Sequence, residues 1–305
     1  MSSGSFCGFS SDCAPNYLPE ALNISVSAWS LCNSTHNSHE FEKRWRRAKS
    51  ACTNNTQGKK GTGGFCLPRL ERGDPPHVSA GQVRLVDLPN NQSFLLPYNP
   101  TFESTNYVEA DGRVIAVLAA LASTSSHHGL FLNDFGAGVG QYGRKLLAMR
   151  PQTQYRGYDA AGNVNEWTRG FVRWFDLTIP LSLARAQWVL SLEVGEHVPH
   201  KFEGHFLRNV HAHNCAGVIL SWARLGQTGA QHINNHKEEY LRVRMHDLGY
   251  FVNETLTNRL RSNEALAGMP EYLTRTVHRY ITTNIVAYQR YSKISPCTPR
   301  PLSCK

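Results

Sequence analysis

The chain has 305 residues, eight cysteines, and a formal net charge of +9. That length can bury one full core and still carry extra material. No apolar run reaches the roughly eighteen residues a membrane-spanning helix needs, and the cationic surplus points to acidic partners without specifying a fold.

Residues 1–76 are rich in Ser, Asn, Gly and Cys and poor in periodic apolar runs. They hold Cys7, Cys13, Cys32, Cys52 and Cys66, while Cys297 and Cys304 lie in a Pro-rich tail, 292–305. The spacings match no zinc pattern, so clustered cysteines in a weak-core segment predict a disulfide framework, the alternative being free thiols in a cytosolic disordered arm. Five is an odd number, so one partner is expected from Cys297 or Cys304, with Cys215 left as a buried free thiol. Sequons at Asn23, Asn33, Asn54, Asn91 and Asn253 suggest a glycoprotein. The opening residues show neither a charged nor an apolar signal region, so a secretory or secreted setting and a cytoplasmic one both stand. The basic cluster Lys43-Arg44-Trp45-Arg46-Arg47-Ala48-Lys49 either holds phosphates or an acidic glycan, or is a solvated helix face with Trp45 tucked beneath it. Residues 77–106, which follow Pro75-Pro76 and include Asn90-Asn91, read as a connecting insertion.

From residue 107 to 291 the pattern changes. Val114 to Leu121 has helical potential, and Leu130-Phe131-Leu132 reads as a buried strand closing on Asp134-Phe-Gly136-Ala-Gly138-Val-Gly140. Such a turn needs glycine because the chain reverses tightly and lays bare backbone against a ligand at a helix N-terminus. A helix over Gln141 to Met149 follows, then a strand Tyr155 to Tyr158 ending in Asp159, an acid placed to meet ribose hydroxyls. Trp188 to Leu192 is the next strand. Phe202, Phe206 and Val210 recur every four residues on a helix that Asn214 ends. Gly217 to Trp222 is a strand, Lys237 to Leu248 a helix stopped by Gly249, and Tyr250 to Val252 and Asn284 to Tyr288 are the last strands. This alternation predicts an α/β domain with a mainly parallel, doubly wound sheet.

Gly138-Val-Gly140-Gln-Tyr-Gly143 also fits a dinucleotide fingerprint, so a nicotinamide cofactor competes until the later motifs are read. Those motifs are Asp159, then Asp176 within Trp174-Phe-Asp-Leu-Thr-Ile-Pro180, then Glu193-Val-Gly-Glu196-His197 after a buried strand. In this order they resemble the class I S-adenosylmethionine-dependent methyltransferases, over roughly 107 to 290. The resemblance implies a Rossmann-like seven-stranded sheet with an antiparallel final strand. It also implies that S-adenosylmethionine is the cofactor. Gly136, Gly138 and Gly140 would lie against its methionine part, Asp134 would receive its ammonium, Asp159 its ribose, and Asp176 with the Leu177 N–H its adenine, with Glu193 nearby.

The E-x-x-E-H spacing is similar to the metal-binding motif of the small-RNA 2′-O-methyltransferases and the ubiquinone-pathway O-methyltransferases. With His232 as a further histidine, Glu193, Glu196 and His197 are expected to hold Mg²⁺, Mn²⁺ or Zn²⁺. Without a metal, His232 or His197 becomes the candidate general base. The implied activity is O-methylation of a hydroxyl-rich acceptor such as a glycan. The alternatives are an RNA 2′-O-methyltransferase, a cytosolic small-molecule O-methyltransferase, and a non-catalytic cofactor-binding protein.

Overall fold

The computed structural model describes residues 34–53, 66–67, 84–87, 93–96, 109–125, 129–168, 170–180, 183–271, 277–294 and 297. Cys7, Cys13, Cys32, Cys304 and the sequons at Asn23, Asn33, Asn54 and Asn91 lie outside the described residues or side chains.

Helix α1 spans Ser34–Thr53. Strands β1 (Arg84–Asp87) and β2 (Ser93–Leu96) pair as an antiparallel hairpin inside the 77–106 stretch, an element its composition did not reveal. Helix α2 (Gly112–Thr124) starts at Asp111, whose carboxylate accepts the Arg113 N–H at 2.9 Å and so satisfies one free donor of the first turn.

Then follow β3 (Phe131–Phe135), α3 (Gln141–Met149), β4 (Gln154–Asp159), the short α4 (Val164–Trp167) and β5 (Val172–Trp174). The second half comprises β6 (Ala186–Leu192), α5 (Glu203–Ala212), β7 (Asn214–Ser221), α6 (Glu238–Asp247), β8 (Tyr250–Val252), α7 (Glu254–Arg261), α8 (Arg279–Asn284) and β9 (Val286–Arg290).

Seven strands form one sheet in the order β5-β4-β3-β6-β7-β9-β8, parallel throughout except that β9 runs antiparallel to both neighbours. Both faces are covered, and the central strands β6 and β7 accordingly carry the longest apolar stretches, Trp188 to Leu190 and Val218 to Leu220. Period-two geometry then sorts them. Leu132, Trp188, Leu190 and Ile219 pack with Ile115, Leu118, Leu146 and Leu260 of α2, α3 and α7. Phe135, Val189, Val218 and Leu220 face the other way, onto Phe206 and Val210 of α5 and Leu241 and Met245 of α6. This is the doubly wound arrangement the alternation predicts.

Several boundaries differ from the sequence reading. Asn214 opens β7 instead of ending α5, yet its Nδ2 donates to the Val210 carbonyl at 2.8 Å and to Tyr250 Oη at 2.7 Å. It therefore satisfies an orphan carbonyl of the helix with its side chain while its backbone enters the sheet. Trp222 falls just beyond β7, and Asn284 closes α8 rather than starting the last strand. The expectation of a free thiol at Cys215 is wrong: Cys215 is bonded to Cys297. The tail runs beside the start of β7, with Ile294 N–H donating to the Cys215 carbonyl at 3.0 Å, and that brings the two Cα atoms to 5.8 Å. The second bridge, Cys52–Cys66, lies within the cysteine-rich segment. Cys297 is thus not the partner of an N-terminal cysteine. Asn253, the sequon asparagine whose side chain is described, is the N-cap of α7 and keeps Nδ2 on Gln289 at 2.7 Å.

Helix α1 belongs to the 1–76 segment in sequence but packs on the sheet's β5 side. Phe41 and Trp45 join Ala137, Val164 and Trp174 in an apolar cluster. The basic cluster is largely ion-paired: Arg44 with Glu40 and Asp176, Arg46 with Glu42, and Lys49 with Glu166. Among the described residues, no helix is long and apolar enough to cross a membrane.

Candidate active site

The glycine turn closes β3 at the C-terminal edge of the sheet. Gly136, Gly138 and Gly140 all adopt positive φ (79°, 58° and 82°), a backbone region closed to most side chains. Asp159, at the end of β4, holds the turn directly. Its Oδ2 accepts from the Gly138 N–H at 2.9 Å and its Oδ1 from the Ala161 N–H at 2.8 Å. A carboxylate has about four acceptor sites, and two of those of Asp159 hold the turn.

Asp134 is buried beneath the turn, and Tyr155 donates to its Oδ2 at 2.8 Å. Loss of hydration raises the Asp134 pKa from 3.8 to about 7, against the Tyr155 hydrogen bond and with help from the neighbouring Asp159 charge. Tyr155 was read only as a strand residue. Alternation along β4 places it on the same face as Gly157 and Asp159, and that was the one available signal.

Asp176 is buried after β5. Thr178 donates to its Oδ1 through N–H (2.9 Å) and hydroxyl (2.5 Å), while Arg44 of α1 reaches Oδ2 at 2.7 Å. The acid expected at the adenine edge is therefore bridged to the N-terminal helix. Leu177 is buried beside it, its carbonyl accepting from Asn209 Nδ2 at 2.9 Å.

Beyond β6 the chain turns at Glu193, which takes a φ of 55°. Its N–H donates to Ser221 Oγ at 2.9 Å, and its carboxylate oxygens lie 3.4 Å from Gln227 Nε2 and Asn284 Nδ2. Gln227 and Asn284 carried no motif and are contributed by a loop and by α8. A short 3₁₀ turn, Gly195–His197, follows. Gly195 is required there: a Cβ would sit 2.2 Å from the ring of the buried Trp222. The ring thus fixes the height at which Glu196 and His197 emerge.

Glu196 is fully buried, and neither carboxylate oxygen has a hydrogen bond of standard geometry. Its nearest polar neighbours are the Glu193 carboxylate and backbone N–H groups of Glu196 and Ala223. Burial, followed by the Glu193 charge, raises its pKa well above the usual carboxylate range. Glu196 therefore tends to retain its proton when no cation is bound.

Ligand atoms of Glu196, His197 and His232 lie within 4.8 Å of one another. The two imidazoles meet edge to face with centroids 5.2 Å apart. His197 Nδ1 is 3.2 Å from the Gln231 carbonyl and His232 Nδ1 is 3.2 Å from the Gln227 carbonyl. A carbonyl only accepts, so each Nδ1 carries the proton and each Nε2 the lone pair, an orientation typical of metal-ligating histidines. Gln231 has φ 64°, and Glu193 and Gln231 are the only non-glycine positive-φ residues among those described. Each costs on the order of 1–3 kcal/mol, and both flank this cluster. Glu193 is not within the three-residue group; it contacts the group through Glu196.

No family model matches the sequence, and no curated protein matches it either. Solved structures similar to the chain include magnesium protoporphyrin IX methyltransferase from Synechocystis PCC 6803 with bound SAH, at 17% identity over 59% of this chain and 83% of that one, with a TM-score of 0.40. Another is an O-methyltransferase of a trans-AT PKS multienzyme from Brevibacillus brevis in complex with S-adenosyl-L-homocysteine, at 13% identity over 58% and 70%, TM-score 0.37. A third is an O-methyltransferase from neocarzinostatin biosynthesis, at 14% over 59% and 52%, TM-score 0.36. At these scores the overlaps assign no activity. The strand order and the single antiparallel strand define a doubly wound, Rossmann-like sheet, the architecture that the resemblance to the class I S-adenosylmethionine-dependent methyltransferases implies.

Proposed function

We propose that the protein is an S-adenosylmethionine-dependent O-methyltransferase whose acceptor hydroxyl is positioned by a divalent cation at Glu196, His197 and His232. The observation that carries this reading is Glu196: a buried carboxylate without a standard hydrogen bond, facing two imidazoles whose tautomers are set by backbone carbonyls. Burial favours the protonated form of Glu196, and a divalent cation at this point would replace that proton and pair the carboxylate. Mixed oxygen and nitrogen donors suit Mg²⁺, Mn²⁺ or Zn²⁺.

The cofactor's half of the site is the glycine turn with Asp134, Asp159 and Asp176 at the sheet edge. Asp134, ionised, pairs with an ammonium. Tyr155 keeps that carboxylate oriented, and Asp159 sets the turn while accepting from ribose hydroxyls. Bound here, S-adenosylmethionine would supply a methyl group to an acceptor oxygen in line, and a divalent cation held by Glu196, His197 and His232 would lower the pKa of the hydroxyl it touches. In that transfer the hydroxyl proton would be lost as the oxygen–carbon bond forms and the carbon–sulfur bond breaks, the electron pair staying on sulfur. Glu193, beside Glu196 and steadied by Gln227 and Asn284, is placed to take it.

For the acceptor we favour a glycan met in the secretory pathway. Two disulfides support an oxidising compartment. The ion pairing of the α1 cations weakens the case for a phosphate-binding helix. The test is transfer of labelled methyl from the cofactor to glycans, RNA and small phenols, with and without chelator. Labelled glycan hydroxyls that disappear on metal removal are expected. Labelling of RNA alone would overturn the acceptor assignment, and turnover that survives thorough chelation would replace the cation with a histidine base.

A further inference from the structure

A second group of metal-type donors lies on the same two chain segments, and it plays no part in the chemistry above. His200, Glu203 and His236 bring one ligand atom each to within 4.8 Å of one another. Glu203 Oε2 is 2.7 Å from His236 Nε2 and 3.4 Å from His200 Nδ1. We propose that these three side chains form a separate zinc site, which ties the start of α5 to the loop carrying His232.

The donor set of two imidazole nitrogens and one carboxylate oxygen is one that Zn²⁺ accepts with a water in the fourth position. The supporting contacts already hold the ligands in place. Tyr240 donates to Glu203 Oε1 at 2.5 Å and Asn234 Nδ2 to Oε2 at 3.0 Å, so the carboxylate is fixed and oriented from behind. His236 stacks on Tyr240 with centroids 4.0 Å apart, tilts against Trp222 at 5.6 Å, and has its backbone N–H bonded to the Ala223 carbonyl at 3.1 Å. Its ring has little freedom left. His200 is the exposed ligand and the way in, its side chain 74% accessible; its Nδ1 lies 3.3 Å from Asn234 Oδ1 and 3.4 Å from Glu203 Oε2, so zinc binding requires the ring proton to move from Nδ1 to Nε2.

The position gives the site a structural purpose. Residues 195–203 and 231–236 run side by side, joined by Ile233 N–H and Asn234 N–H to the Glu196 carbonyl at 2.9 and 3.0 Å. The first segment carries Glu196 and His197 and the second His232. A zinc ion at His200, Glu203 and His236 is a second cross-link between the segments that must converge for the first cluster to form, and it stabilises the folded state by an amount that rises with the logarithm of free zinc over its dissociation constant.

The experiment uses the full chain, stripped of metal, titrated with Zn²⁺ and desalted, with zinc per chain and thermal midpoint as readouts. In His232→Ala, which removes a donor of the first cluster only, one zinc per chain is retained and the midpoint rises with zinc. In His200→Ala/His232→Ala both are lost, with affinity weakened by about tenfold or more, since losing even an outer partner costs roughly 10–100-fold. The exposed His200 makes this second substitution harmless to folding, which circular dichroism verifies. Equal zinc in the two variants, or no zinc in His232→Ala, overturns the proposal. If the unsubstituted chain holds one zinc that His232→Ala retains and the double variant loses, the second site stands and the cation at Glu196 fails instead.

Discussion

Asp134 should make cofactor binding pH-dependent, with a midpoint that Tyr155 controls. Its carboxyl titrates near pH 7 because burial outweighs the Tyr155 hydrogen bond. Only the ionised form attracts an ammonium, so the affinity for S-adenosylhomocysteine should fall by about tenfold per pH unit below that midpoint. Tyr155→Phe removes a hydrogen bond to the charged form worth about 1.5–3 kcal/mol. At about 1.36 kcal/mol per unit, the midpoint should move up by roughly one to two units. Asp134→Asn should abolish the acid limb altogether. The ligand's own amine titrates in every case, so comparing variants on one ligand removes its contribution. Stability carries the opposite sign. A carboxyl raised from 3.8 to about 7 on folding stabilises the apoprotein below its unfolded value, and that contribution is lost between about pH 4 and 7 as pH rises. Calorimetry from pH 5.5 to 8.5 decides the matter, and affinity that is flat across pH 6 to 8, or unmoved in Tyr155→Phe, would refute the placement of the ammonium at Asp134.

Three further outcomes are expected. His232→Ala should lose most turnover while S-adenosylhomocysteine affinity stays within about twofold, because His232 belongs to the cation cluster and not to the glycine turn; equal losses in both would contradict that division. Cys215→Ser opens a bridge spanning 82 residues, for which the chain-entropy relation gives about 4.5 kcal/mol; denaturant unfolding measures it, and an unchanged midpoint would mean the bridge does not form. Gly195→Ala should destabilise the fold by about 1–3 kcal/mol through collision with Trp222, and an unaltered melting temperature would show that the turn has room the structure does not give it.

The sheet was legible because buried parallel strands are apolar runs of the right length, and the glycine turn because a strand-to-helix reversal at a ligand leaves a repeating glycine signature. Asp134, Asp159 and Asp176 were singled out by their order along the chain. What escaped was everything supplied across space. Arg44 reaches Asp176 over 132 positions and Asn284 meets Glu193 over 91, and no local pattern records such contacts. Tyr155 hid among aromatic strand residues. Cys215 was misread because an isolated cysteine at a helix-to-strand boundary looks like a buried thiol until the tail is seen to return beside it. His200 and His236 sit three and four residues from the motif histidines and share their segments, but only Glu203 arriving from α5 makes them a cluster.

The central claim is the identity of the small molecule held at the glycine turn, and titration calorimetry of the intact chain near pH 8 tests it most directly. The account predicts saturable binding of S-adenosylhomocysteine, weakened by about 1–3 kcal/mol in Asp159→Ala through loss of hydrogen bonds to a charged group, and no heat with NADH. Binding of NADH with no response to S-adenosylhomocysteine would contradict it.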